Sequence, residues 1–184
     1  MNKTVQKYFD ELQANTKAIV KDVSHLSSVT YHYKPGQGRW SISQILTHIL
    51  TSERLSLEYM KKKSLGIERL SETGIVEQIK FFILTISQRI ALKYKAPRQV
   101  LQHTPPPLSF GDLVRQWESV RSELKAFLEG IKDENVRKMI YKHPHMGRLD
   151  VIHALKFLNE HMKHHRPQIQ AIIDTQKRQM LEKH

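Results

Sequence analysis

Two histidines stand four residues apart in the segment His161-Met162-Lys163-His164-His165. On an α-helix this spacing puts both imidazoles on one face, about one turn apart, where they can chelate a single metal ion. The same spacing suits two core histidines joined by hydrogen bonds, because imidazoles on the inner side of a helix need either such partners or a metal. His48, in Ile45-Leu46-Thr47-His48-Ile49, sits at the edge of a second apolar stripe and is the candidate third ligand. Three neutral imidazoles would leave coordination positions open, the feature that separates a catalytic zinc site from a closed structural one. Zinc is the first expectation for the ion, with nickel, iron and manganese allowed by the same ligand type. The chain has no cysteine, which excludes thiolate ligands and a disulfide framework.

Most of the eleven histidines need no such role. His164 is turned by about 100° from its neighbour and is expected in a supporting or exposed position. His25, His32, His103 and His184 fall in polar, loop or terminal stretches and are expected at the surface. His153 lies in the first turn of the last helix, where partial burial is expected without an identifiable partner. Glu53 follows His48 by five residues, about 140° around the helix, and Glu160 points away from its neighbour His161. Neither is expected at the ion, and no general base is assigned.

Four amphipathic segments must position these residues. Val5, Phe9, Leu12, Thr16, Ile19, Val23 and Leu26 alternate steps of four and three, which predicts a bundle helix over about residues 3–27. Residues 28–40, with Pro35, Gly36 and Gly38, read as a polar connection. Trp40-Ser41-Ile42-Ser43-Gln44-Ile45 then carries a capping box (Ser41 with Gln44) and a hydrophobic staple (Trp40 with Ile45). The helix it opens is expected to reach about Lys63 and to turn Ile42, Ile45, Leu46, Ile49 and Leu57 inward. A shorter, less regular helix is expected over about residues 72–94 from Ile75, Ile79, Phe82, Ile83, Ile86 and Ile90. Four prolines make residues 96–109 a surface linker. Ser109 caps the third main helix, with Leu108 and Leu113 as its staple and a seam running from Phe110 to Ile131. Asp150 caps the fourth, expected to reach about Lys177 on the seam Val151, Leu155, Leu158, Met162, His165, Ile169 and Ile172. No segment shows a convincing strand pattern. The expectation is an all-α four-helix bundle with an additional shorter helix between the second and third main helices.

A length of 184 residues suits one domain, 1–184, with a substantial core. Seven glycines and seven prolines favour long helices over many turns. The stretch from Met1 to Lys17 has mixed charge and no apolar run, so no signal peptide is expected. The longest apolar run, Phe81-Phe82-Ile83-Leu84, is too short to span a membrane. A soluble, cytoplasmic protein with no membrane partner is the expectation. Net charge is +12, which invites an anionic partner such as nucleic acid. The cations are spread along the chain, however, and the one compact cluster, Lys61-Lys62-Lys63, has no interleaved aromatic residues. Helix-turn-helix and zinc-finger spacings are missing too, which leaves nucleic acid the lesser expectation.

Trp40-Ser41-Ile42-Ser43-Gln44-Ile45-Leu46-Thr47-His48 resembles the start of the second helix in the DinB/YfiT-like superfamily, where Trp-Ser/Thr leads to a metal-binding His. His143-Pro144-His145-Met146-Gly147 resembles that family's His-Pro-x-x-Gly loop. His161-Met162-Lys163-His164-His165-Arg166-Pro167-Gln168-Ile169 is similar to its His-x-x-His-His ending, followed by Gln-Ile. The three blocks agree in order and separation, so the resemblance covers nearly the whole chain. It implies a four-helix bundle, often a homodimer, with a divalent metal on His48, His161 and His165. It also places the chain beside metal-dependent hydrolases, isomerases and thiol S-transferases. A small-molecule substrate and a low-molecular-weight thiol cosubstrate go with that company. Pro167 departs from the family's small or apolar residue. It removes a backbone hydrogen bond to residue 163 and is expected to kink the helix just past the ligands. The competing reading rests on charge alone: a non-catalytic basic helical module that binds nucleic acid or a protein partner.

Overall fold

The computed structural model describes residues 1–79, 106–143 and 146–182. Helix α1 spans Lys3–Val23, α2 Ser28–His32, α3 Ile42–Ser64, α4 Phe110–Glu129 and α5 Val151–Leu181. Strands β1 (Tyr141–His143) and β2 (Gly147–Leu149) form an antiparallel hairpin just before α5. Helix α5 packs along both α1 and α3, while α4 packs on α3 and, over a shorter stretch, on α1, which closes a four-helix bundle.

The apolar seams meet in one core. Val5, Phe9, Leu12, Ile19 and Val23 of α1 are buried there with Ile42, Ile45, Leu46, Ile49 and Leu57 of α3. Leu113, Trp117 and Leu124 of α4 join them, as do Val151, Leu155, Leu158, Met162, Ile169 and Ile172 of α5. Each side chain of this size contributes about 1.5–3 kcal/mol by leaving water, which sustains helices that would be marginal alone.

The helix starts fix the rotation of each seam. Asn2 Oδ1 accepts from the Thr4 amide at 3.0 Å. Ser41 and Gln44 form the reciprocal capping box, with Gln44 N donating to Ser41 Oγ at 3.2 Å and Ser41 N to Gln44 Oε1 at 3.0 Å. Ser109 Oγ accepts from Asp112 N at 3.2 Å, and Asp150 Oδ1 from His153 N at 2.9 Å. The box at Ser41 sets the angle at which α3 leaves the loop, and hence the direction of His48 two turns later.

Two features depart from the sequence expectation. Helix α2 lies inside the stretch read as a connection, capped by Ser27 and anchored by the buried Thr30 and Tyr31. The hairpin was also unforeseen, because strands of three residues are too short for alternation to stand out. Gly147 takes φ +77° at its turn, a conformation that a side chain would strain. Two 2.9 Å backbone bonds, Met139 N to Ser71 O and Thr73 N to Arg137 O, tie residues 71–73 to the approach of β1. Of the shorter helix expected over residues 72–94, residues 75–79 are helical. Its remainder and most of the proline-rich linker lie outside the described residues. Helix α5 is assigned unbroken through Pro167. Among the described residues, no helix is long and apolar enough to cross a membrane.

A buried charge pair joins α3 to α4. Glu53 Oε2 accepts from Trp117 Nε1 and from Arg121 Nη2, both at 2.9 Å, and Arg121 also donates to Thr16 Oγ1 of α1 at 3.0 Å. Burial pushes the Glu53 carboxyl above its ordinary range, against the opposing pull of Arg121. Removing one partner strands the other in a low-dielectric interior. Arg121→Met should therefore lower the unfolding free energy by about 3–5 kcal/mol in urea denaturation. The Glu53→Gln/Arg121→Met double variant should recover part of that loss. An unchanged midpoint in the single variant would contradict the pairing.

Candidate metal centre

The packing of α3 on α5 brings His48 against His161 and His165. His48 Nε2 lies 3.2 Å from His161 Nε2, which lies 3.1 Å from His165 Nε2. The ligating atoms of all three residues fall within 4.8 Å of one another. His48 and His165 are buried, and His161 is half-buried with its Nδ1 shielded. One bridging proton can serve one of these nitrogen contacts at a time, whereas a cation between the three nitrogens serves them all. Zinc–imidazole bonds of about 2.0–2.1 Å in tetrahedral array place nitrogens about 3.4 Å apart, close to the 3.2 and 3.1 Å of the two contacts that His161 makes. The donor set and its geometry fit a divalent ion.

Protonation favours the same reading. Burial, aided by the charge of His164, lowers the His48 pKa to about 4. Burial likewise lowers His165 to about 3, with His48 adding to the effect and Gln168 opposing it. His161 is held well below the ordinary histidine range by burial first, then by His165 and His48. All three rings are neutral at pH 7, the form that ligates.

Neighbouring side chains hold the rings in place. His165 Nδ1 is 3.0 Å from Gln168 Oε1; the Nδ1–H donates to that oxygen, which leaves the Nε2 lone pair aimed at the cluster. The Phe157 ring stacks on His161 at 5.4 Å and 12°, and His143 meets Phe157 edge-on at 4.7 Å. The Trp40 ring lies 5.0 Å from that of His48. His164 meets His165 edge-on at 5.1 Å, a supporting position at half burial.

The three candidate ligands thus come together, and Pro167 has not carried His165 away from them. Glu53 is engaged by Arg121 on the other side of α3, and Glu160 by Lys163 at 3.0 Å. His25 and His32 are exposed, while His103 and His184 lie outside the described residues. His153 has a partner that the sequence reading did not assign: its Nδ1 is 2.7 Å from Asp150 Oδ1. Gln168 and Phe157 were also missed as supports. Both follow from helical spacing, one three residues after His165 and the other four before His161.

A family model described as the DinB superfamily matches residues 8–169 of this chain. The chain belongs to the DinB superfamily. It is also similar to the uncharacterized protein YuaE of Bacillus subtilis (strain 168), at 26% identity over 151 residues. That match covers 82% of this chain and 88% of YuaE. The matched region contains all three blocks on which the DinB resemblance rested, and with them His48, His161 and His165.

The lowered histidine pKa values carry a sign for stability. His48 titrates near 4 in the fold and near 6.5 as a free side chain, so between these values the unfolded chain binds more protons. Stability of chelator-stripped protein should hold above pH 7 and fall as the pH drops from about 6.5 toward 4, by about 1.4 kcal/mol per pH unit for each such histidine. Urea midpoints at pH 7.5 and 5 test this, and His48→Asn should flatten the slope. A slope of opposite sign would contradict burial of neutral rings.

Proposed function

We propose that this DinB-superfamily protein is a metal-dependent enzyme whose divalent ion is held by His48, His161 and His165. The observation that carries the reading is the convergence of three neutral imidazole Nε2 atoms from two helices on one point. A divalent ion on three imidazoles acts as a Lewis acid that lowers the pKa of water or of a thiol taken into a remaining position. Zinc is the leading choice, with nickel, iron or manganese compatible with the same donors.

The chain's own contributions follow from its geometry. Gln168 holds the His165 tautomer that ligates, and Phe157 and Trp40 pack against the outer faces of His161 and His48, limiting the access of bulk water. The nearest carboxylates along the two helices, Glu53 and Glu160, are engaged with Arg121 and Lys163. Hydrolysis of a small molecule and transfer of a low-molecular-weight thiol to one both suit such a site. Thiol transfer asks least of the protein, since the cosubstrate brings its own nucleophile and needs no protein base. A cytoplasmic homodimer is the setting we infer from the family resemblance.

Elemental analysis of untagged protein should find close to one equivalent of zinc, nickel, iron or manganese, lost in His161→Ala. His165→Ala should also lose the metal while keeping its helical circular dichroism, because it deletes a ligand and no apolar core side chain. Gln168→Leu should keep the ion but bind it about 10–100-fold more weakly, as other outer supports of metal-bound histidines do. Metal-free protein that takes up no ion when one is offered would overturn the proposal. Full metal occupancy in His165→Ala would overturn the ligand assignment.

A further inference from the structure

Strand β1 supplies none of the three clustered imidazoles, yet its side chains reach the cluster. Pairing of Tyr141 with Leu149 and of His143 with Gly147 fixes the hairpin, and the two-residue period of a strand puts Tyr141 and His143 on one face. That face is buried, while the intervening Lys142 is exposed. Both rings meet Phe157 of α5. Tyr141 is stacked on it at 6.1 Å and 29°, and His143 stands edge-on at 4.7 Å and 73°. Phe157 in turn lies nearly parallel to His161, at 12° with centroids 5.4 Å apart. The two are four positions apart on α5 and so share a face.

The three clustered imidazoles are braced in different ways. A ligating histidine is ordinarily oriented by a hydrogen bond from its other ring nitrogen, and for His165 that bond goes to Gln168 at 3.0 Å. His161 Nδ1 is buried and makes no hydrogen bond among the described residues, so no polar partner fixes the rotation of that ring about its Cβ–Cγ bond. His48 Nδ1 is in the same condition, but the Trp40 ring beside it is tilted by 56° and presents no parallel face. Phe157 does present one to His161, at a separation within the range of offset stacking, and a parallel neighbour resists rotation of the ring out of its plane. An imidazole that gives its Nε2 lone pair to a cation becomes electron-poor, which the negative face of Phe157 favours.

We propose that Phe157, backed by Tyr141 and His143 of β1, is the positioning residue of His161 and takes the place of a hydrogen bond at that ring. The inference rests on the reading of His48, His161 and His165 as ligands, and it gives the hairpin a part in metal binding. Two measurements on the full chain, its Phe157→Leu variant and its Phe157→Tyr variant test it. In chelator-stripped protein, NMR relaxation of the ring carbons should find His161 as ordered as His165 in the parent. The His161 ring should be more mobile in Phe157→Leu and ordered again in Phe157→Tyr. In cobalt(II) titrations, Phe157→Leu should bind at least tenfold more weakly and with shifted visible bands, while Phe157→Tyr restores the parent's affinity and bands. Helical circular dichroism should be unchanged in both variants. A His161 ring that stays ordered in Phe157→Leu would overturn the proposal whatever the ion does. So would parent affinity and parent bands in that variant. A parent that takes up no cobalt, with the His161 ring behaving as expected, would overturn the ligand reading and with it the role of Phe157 in metal binding.

Discussion

The close approach of α3 and α5 is the constraint on which the rest of the molecule turns. It holds His48 Nε2 of α3 3.2 Å from His161 Nε2 of α5, itself 3.1 Å from His165 Nε2, where burial keeps the rings uncharged. Electron-rich nitrogens do not gather around one point unaided, because their lone pairs repel and a shared proton relieves one contact at a time. Holding them there requires fixed helix rotations and fixed rings. The capping box at Ser41 supplies the first on α3, and the continuous seam of α5 supplies it on the other side. Gln168, Phe157 and Trp40 supply the second.

Helix α3 carries two buried polar centres and keeps them apart by rotation. Five residues separate His48 from Glu53, about 140° around the helix axis, so one faces α5 and the other faces α4. The Glu53–Arg121 pair balances its own charge inside the bundle, with Trp117 and Thr16 taking further hydrogen bonds. The histidine cluster is neutral as it stands and becomes cationic on taking a metal. Separate faces let the bundle keep an internally compensated ion pair without placing a carboxylate among the imidazoles. That division also keeps the Glu53 carboxylate, engaged by Arg121 and Trp117, out of the histidine cluster.

Much of this was legible in the sequence because helices repeat. The seams of α1, α3, α4 and α5 could be read from apolar spacing, their starts from Ser41, Ser109 and Asp150, and the candidate ligand pair from the separation of His161 and His165. His48 was readable as an edge-of-stripe residue, but its partnership with α5 rested on which helices are neighbours, a tertiary fact outside any one segment. The hairpin of Tyr141–His143 and Gly147–Leu149 escaped notice because three-residue strands carry too few alternations. The Glu53–Arg121 pair escaped because a charged residue on a helix reads as solvated until a partner on another helix is known. His153 shows the local limit: Asp150 was recognised as a cap, yet its second role, holding the His153 ring, depends on side-chain geometry.

X-ray absorption spectroscopy at the zinc edge, on protein loaded with one equivalent, tests the histidine cluster as a metal centre most directly. Three imidazole nitrogens at about 2.0–2.1 Å, with one or more light-atom ligands completing the shell, is the expected spectrum. His161→Ala should reduce the imidazole count or release the ion. A shell of oxygen donors alone, or one unchanged by that substitution, would contradict the centre described here.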